Sequence, residues 1–258
     1  MPYVTSEGIR IHYELEGEGP PLVLQHGFAQ RATSWHLAGY VDALKLQYRL
    51  ILVDARGHGD SEKPYDPTAY TLSRHVGDIV AVLDALSLRA AHFWGYSMGG
   101  WIGFGMAKYA PERVHAMLIG GQHPYERILP AAARLDGSDP QAFLDAFLAR
   151  IGVDLATLPP ERRAEVLAND CRALAAAQQD RPSLEDVPPT MTMPCFLYVG
   201  EADGVFPRAQ ACVKQMPNAT FVSFPGLDHG EAFYQGAVIL PQATKFLQAQ
   251  RKHVKVVG

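Results

Sequence analysis

An apolar run, Ala91–Trp94, leads directly into Gly95-Tyr96-Ser97-Met98-Gly99, and that pentapeptide opens a small-residue stretch containing Gly100 and Gly103. Few folds accommodate such a succession. A strand that turns sharply into a helix brings the two backbones nearly into contact, so the residues two before and two after the pivot must lack bulk, and glycine stands at both places. The pivot, Ser97, is forced into a strained conformation that lifts its side chain clear of its neighbours. A serine hydroxyl is a poor nucleophile unless it is exposed in this way and held beside a base. Gly-x-Ser-x-Gly alone arises readily by chance, and a small-residue helix cap would also produce it. Its place after a strand signal and before a helix signal points instead to a nucleophile elbow.

The flanking sequence supplies a sheet for that turn. Ile9–Leu15 alternates apolar and polar residues, as a half-exposed antiparallel strand does. Pro21–Gln25, Arg49–Asp54, Ala91–Trp94 and Val114–Ile119 are short, nearly continuous apolar runs, the mark of strands covered on both faces in a parallel sheet. Trp35–Leu46 and Ser73–Leu86 carry apolar residues at three- and four-residue spacing and predict helices between the strands. Such a βαβ series closes as a right-handed parallel sheet with its reactive loops at the strands' carboxyl ends, where Ser97 falls.

The character changes after Gly120-Gly121. Arg127–Asp186 is alanine-rich, punctuated by Asp139-Pro140 and Pro159-Pro160, and has helical periodicity over Gln141–Ile151 and Glu161–Gln178 with no strand signal. The earlier rhythm resumes with a strand at Cys195–Val199, a helix at Pro207–Met216, a strand at Thr220–Phe224 and a last helix over Val238–Gln250. The expected organisation is a core of residues 1–121 and 188–258 with a helical cap, 122–187, inserted after strand 6. At the reactive edge such a block serves either as a lid over Ser97 or as a stabilising flap.

Composition narrows the partners. A chain of 258 residues, 48% hydrophobic and 19% charged, suits one large α/β domain with a modest insertion. At net charge −4 it has no basic stripe to hold a phosphate backbone, which argues against nucleic acid. No basic-then-apolar segment stands at Met1–Glu7, and no apolar run approaches the roughly 18 residues that span a bilayer, so a cytoplasmic protein without a membrane partner is expected. Cys171, Cys195 and Cys212 form neither a Cys-x-x-Cys pair nor a repeated ligand spacing, and read as buried reduced thiols, with no metal site.

A nucleophilic serine needs a base, and the base needs an acceptor that fixes its tautomer. Of ten histidines, His229 is placed best, in the loop Pro225-Gly226-Leu227-Asp228-His229-Gly230 after the last strand. His12 lies on a strand, His36 and His75 on helix faces, His92 and His115 at strand starts, His123 near the insertion and His253 in the tail. Asp203 follows the strand Cys195–Val199 and is the natural acceptor. Asp228 adjoins His229, where neighbouring side chains point apart too readily, and Glu201 would project in another direction.

The order Ser97, Asp203, His229 resembles that of the α/β-hydrolase superfamily. Three stretches carry the resemblance: Gln25-His26-Gly27-Phe28, Asp54-Ala55-Arg56-Gly57-His58-Gly59-Asp60-Ser61, and Gly95–Gly100. Within the superfamily the chain is similar to the capped esterase, enol-lactonase and cofactor-free perhydrolase branch. The resemblance implies an α/β-hydrolase fold: a mostly parallel eight-stranded sheet flanked by helices. It also implies an oxyanion hole formed by the backbone N–H groups of Phe28 and Met98. His26, His58, Arg56 and Asp60 are expected to brace loops, with the two charged groups tying the loop after Asp54 to the elbow. Tyr96, Trp101, Tyr125, Val205 and Phe206 stand either as an acyl pocket or as ordinary core.

The expected activity is hydrolysis of a small, largely apolar carboxylic ester or lactone, with no cofactor or metal. Oligomeric state, monomer or homodimer, stays open. An epoxide hydrolase or dehalogenase on this fold would need a carboxylate at position 97. A carbon–carbon bond hydrolase of aromatic ring-fission products is similar at the elbow but has asparagine where this chain has Tyr96. Perhydrolysis would use the same triad, and a ligand-binding receptor on the same fold is the non-enzymatic alternative.

Overall fold

The computed structural model describes residues 2–130, 136–151 and 153–250; His253 lies outside them. Its frame is a single eight-stranded sheet: β1 (Tyr3–Ser6), β2 (Ile9–Glu16), β3 (Pro21–Gln25), β4 (Arg49–Val53), β5 (Ala91–Tyr96), β6 (Val114–Gly120), β7 (Cys195–Gly200) and β8 (Ala219–Phe224), in the order β1-β2-β4-β3-β5-β6-β7-β8. The β1/β2 and β2/β4 pairs are antiparallel and every later pair is parallel. The register sets Gly95 beside Ile119 and Gly120 beside Tyr198, so the ends of β5, β6 and β7 finish at one level.

The apolar runs have this form because each strand is covered twice. Val23, Ile51, Val53 and Phe93 face one side, packing with Ile79 and Val82 of α3 (Leu72–Ala85) and Ile102 and Phe104 of α4 (Met98–Tyr109). Leu22, Leu24, Leu50, Leu52 and Trp94 face the other, against Trp35 of α1 (Ala32–Leu37), Tyr40 and Leu44 of α2 (Tyr40–Leu44) and Phe233. Adjacent residues on one strand thus serve opposite layers, and fully burying each such side chain contributes about 1.5–3 kcal/mol.

Between β6 and β7 stand α5 (Pro140–Ile151), α6 (Pro160–Leu167) and α7 (Cys171–Ala177). Phe143, Leu144, Phe147 and Leu148 join Cys171 and Leu174 in a small separate core that reaches Phe28 and Ala29 on the loop after β3. The chain then continues through α8 (Phe206–Val213), α9 (Glu231–Tyr234) and α10 (Gly236–Gln250).

Two expected helices prove to be pairs. Trp35–Leu46 is split at Gly39, whose φ of +79° no helix accepts. Glu161–Gln178 is split before Asp170, whose carboxylate accepts the N–H groups of Arg172 and Ala173 and so caps a fresh helix. The strand β1, which the hydrophobic pattern does not reveal, is added through a turn at Glu7-Gly8, both at positive φ, the requirement of a tight hairpin.

Candidate active site

Ser97 joins β5 to α4 with φ +51° and ψ −109°, outside the regions an ordinary side chain prefers. The flanking glycines explain how the turn closes. A Cβ on Gly95 would stand 2.1 Å from the Gly99 carbonyl oxygen, and one on Gly99 would stand 2.0 Å from that of Gln25. The strained residue is pinned by its own backbone: its N–H donates to Gly120 O at 2.8 Å, and its C=O accepts from Gln122 Nε2 at 2.9 Å. Gln122 escapes sequence reasoning because a glutamine just past a strand has no periodic or spacing signal.

The loops after β7 and β8 bring the other two residues to the same edge. His229 Nε2 lies 2.9 Å from Ser97 Oγ, and His229 Nδ1 lies 2.6 Å from Asp203 Oδ2. Asp203 is sealed, with 3% of its side chain exposed, whereas the imidazole is 41% exposed and open to a substrate. Asp203 Oδ1 accepts the Val205 N–H at 3.0 Å, which fixes the carboxylate plane. With Nδ1–H donated to that carboxylate, Nε2 is left as the acceptor for the serine proton. The two rival carboxylates are engaged elsewhere: Asp228 Oδ1 accepts the Glu231 N–H, and Glu201 Oε1 accepts the Ser223 hydroxyl.

Met98 follows Ser97 in the chain, and a Cβ added to Gly27, the residue before Phe28, would stand 3.4 Å from Ser97 Cβ. Met98 is the first residue of α4, and leading N–H groups of a helix have no partner within it. Phe28 follows Gly27, whose N–H donates to Gln30 Oε1 at 2.8 Å; Gln30 Nε2 donates in turn to Tyr234 Oη. Among the described residues neither the Phe28 nor the Met98 N–H takes part in the turn and loop hydrogen bonds.

A family model described as the alpha/beta hydrolase fold matches residues 20–194. The chain belongs to the α/β-hydrolase family. A putative non-heme chloroperoxidase of Synechocystis is 28% identical over 96% of this chain and 100% of its own length. Epoxide hydrolase 3 of Siraitia grosvenorii is 34% identical over 45% of this chain, a segment that spans 36% of that relative, and two further curated relatives are likewise matched over less than half their length. The enol-lactonase from Burkholderia xenovorans LB400 superposes with a TM-score of 0.83, 23% identical, over 96% of this chain and 100% of its own, a likeness of fold.

In this α/β-hydrolase the remaining polar groups of the loops after β3 and β4 are braces. His26 Nε2 accepts the Ala55 N–H and its Nδ1 meets Gly27 O. Burial, with His26 beside it, pushes His58 down to about 3, so its Nδ1–H donates to Arg56 O as a neutral ring. Arg56 and Asp60 do not reach the elbow as expected. Arg56 forms a two-pronged pair with Asp78 of α3 at 2.6 and 2.7 Å, and Asp60 pairs with Arg31, because the loop after β4 turns toward α3 and α1. His12, Asp54 and Asp60 bring possible metal-ligand atoms within 4.8 Å of one another, yet Asp54 already accepts from His12, Ala32 and Asp60, and Asp60 holds Arg31.

The five tentative pocket residues separate. Tyr96 is core: it is 2% exposed on the α1/α2 side of the sheet, packs on Phe233 and Tyr198, and donates its hydroxyl to the His229 carbonyl at 2.5 Å. Alternation along β5 places it in the α1/α2 layer, where its hydroxyl props the backbone of His229. Trp101 is nearly buried on α4 against His75, while Tyr125, Val205 and Phe206 are half-buried at the margin of the α3/α4 layer. A groove of about 670 Å³ opens at the opposite end of the sheet, between the starts of β6–β8 and α10, and Ser97 has no part in its lining. No helix among the described residues is long and apolar enough to cross a membrane.

Proposed function

We propose that this α/β-hydrolase is a serine hydrolase that cleaves a small carboxylic ester or lactone through an acyl-enzyme. The observation that carries the reading is the unbroken chain Ser97 Oγ, His229 Nε2, His229 Nδ1, Asp203 Oδ2, at 2.9 and 2.6 Å. Ser97 Oγ attacks the carbonyl carbon as His229 takes its proton, and the Phe28 and Met98 N–H groups receive the oxyanion. Collapse expels the alcohol, which leaves with the proton from His229. Water then attacks the acyl carbon, again deprotonated by His229, and releases the acid and the free serine. Losing one oxyanion donor typically lowers the rate by about 10² to 10³. Asp203 holds the ring in the required tautomer and stabilises the imidazolium.

The carboxylate nucleophile of an epoxide hydrolase has no counterpart at position 97, so the half-length matches to such enzymes speak for the shared frame and not for their chemistry. A second reading, perhydrolysis with peroxide in place of water at the deacylation step, draws support from the full-length match to the Synechocystis relative.

A fluorophosphonate probe tests the central reading: wild type takes up the label, Ser97→Ala does not, and an unlabelled wild type would favour a ligand-binding scaffold. We read residues 122–187 as a cap over the site, with α5 and α7 packed on Phe28. Replacing 127–186 by a short Gly/Ser linker, in a variant shown to be folded, is expected to alter KM and chain-length preference across an ester panel. An unchanged profile would leave the block as a flap.

A further inference from the structure

Two arginines of the inserted segment face each other across a short backbone bridge. Arg127 and Arg181 form an isolated antiparallel bridge, each N–H donating to the other's carbonyl at 2.9 Å, and residues paired this way present their side chains on one face. Like charges directly opposite are destabilising. The arginine ion pairs given by the described residues belong to Arg31, Arg56, Arg74 and Arg113. Asp180, whose Oδ1 accepts the Leu129 N–H, works against the lowering of the Arg127 pKa, but burial comes first and the charge of Arg150 second, and the net shift is downward. Arg127 makes only a long 3.5 Å contact to Gln179 O, and its Nε is buried with no partner.

The Arg181 guanidinium lies over the Trp101 ring, 4.7 Å from its centroid. Trp101 is one turn along α4 from the nucleophile, and its N–H donates to Ser97 O at 3.0 Å. Burial, followed by the charges of Arg127 and Arg150, pushes Arg181 well below its ordinary pKa. Because a guanidinium keeps its proton in proteins, that repulsion persists in the folded chain.

Direction follows from the chemistry. The departing alcohol must lie against His229 Nε2, which protonates it, and His229 and Asp203 come from the β7/β8 side of the elbow. The acyl chain therefore leaves His229 Nε2 behind and runs under the segment over Trp101, where Arg181 acts on His75 and, with Arg127, on His123. We propose that Arg181 and Arg127 form a subsite for a carboxylate at the far end of the substrate's acyl chain, an assignment that rests on the serine hydrolase reading. A carboxylate there would accept two-pronged charge-assisted hydrogen bonds and offset the paired positive charges. The largely apolar substrate expected from sequence becomes one with a charged tip.

The test compares mono-4-nitrophenyl glutarate with 4-nitrophenyl pentanoate, acyl chains of equal length with and without the terminal carboxylate. Wild type is expected to favour the glutarate ester in kcat/KM, and Arg181→Met to lower the glutarate-to-pentanoate ratio by about tenfold or more, mainly through KM, the scale of one hydrogen bond to a charged group. Arg127→Met should move the ratio the same way, and Arg181→Lys, which keeps the charge but not the fork, should fall between; it decides the matter if Arg181→Met does not fold cooperatively. Binding of glutarate to Ser97→Ala by calorimetry needs no turnover. Its loss in Ser97→Ala/Arg181→Met would support the subsite even if wild type hydrolysed neither ester, an outcome that would sink the hydrolase reading alone. A ratio that stays within twofold in every arginine variant, or glutarate binding indifferent to Arg181→Met, overturns the proposal.

Discussion

His229 meets Asp203 at 2.6 Å and His12 meets Asp54 at 2.8 Å, in both cases through Nδ1 and Oδ2. The second pair is sealed, with both side chains 0% exposed, and Asp54 also accepts the Ala32 and Asp60 N–H groups, tying together the loops after β3 and β4. The first pair is sealed only at the aspartate, and the imidazole turns its free nitrogen to a serine hydroxyl. His12 Nε2, by contrast, is buried with no partner. An imidazole held by a carboxylate is thus not in itself a catalytic device. What the far nitrogen faces, and whether a substrate can reach it, decides.

That contrast can be attacked variant by variant. Ser97→Ala removes the attacking oxygen and little volume, so ester turnover should fall by about 10⁴ to 10⁶ while the thermal unfolding transition stays cooperative; comparable turnover in both proteins would mean the nucleophile lies elsewhere. Asp203→Asn keeps the shape but favours the wrong tautomer, for a loss of up to about 10⁴ in kcat at neutral pH.

Asp54→Asn should do the reverse, leaving the specific activity of folded protein within about tenfold while lowering stability by about 2 kcal/mol. Burial works against the charge on Asp54, yet the His12 hydrogen bond, His26 and the Asp60 and Ala32 N–H groups outweigh it and hold the carboxyl at about 2. Because this value is below the unfolded one of about 3.9, the contribution is present above pH 4 and vanishes as pH falls through about 2. Urea titrations should show the wild-type advantage steady from pH 7 to 5 and shrinking below 4; an advantage that grew on acidification would refute the assignment. The smallest effects belong to Asp228→Asn and Glu201→Gln, both expected within about tenfold of wild-type turnover in a standard ester assay.

How far the sequence reveals these features depends on how local their cause is. The buried strands and the elbow are legible because one short window contains both the apolar run and the glycines that the close approach demands. Asp203 and His229 are legible because each follows a strand whose carboxyl end must meet Ser97. The break at Gly39 and the separate helices α6 and α7 were hidden because periodicity runs on across an interruption of one or two residues. Tyr96 stays open between pocket and core in the sequence because β5 is apolar on both faces, so alternation gives no clue to which layer it serves. The Arg127/Arg181 bridge joins residues 54 positions apart in a region without strand periodicity, and no spacing rule connects them.

The backbone of Ser97, at φ +51° with a side chain attached, has a further consequence. A non-glycine residue in such a sparsely populated conformation typically destabilises a fold by about 1 to 3 kcal/mol, and glycine at the same place largely escapes that penalty. On the serine hydrolase reading, Ser97→Gly is therefore expected to abolish turnover and raise the unfolding temperature in one substitution, a pairing that a thermal melt and an ester assay on the same sample check.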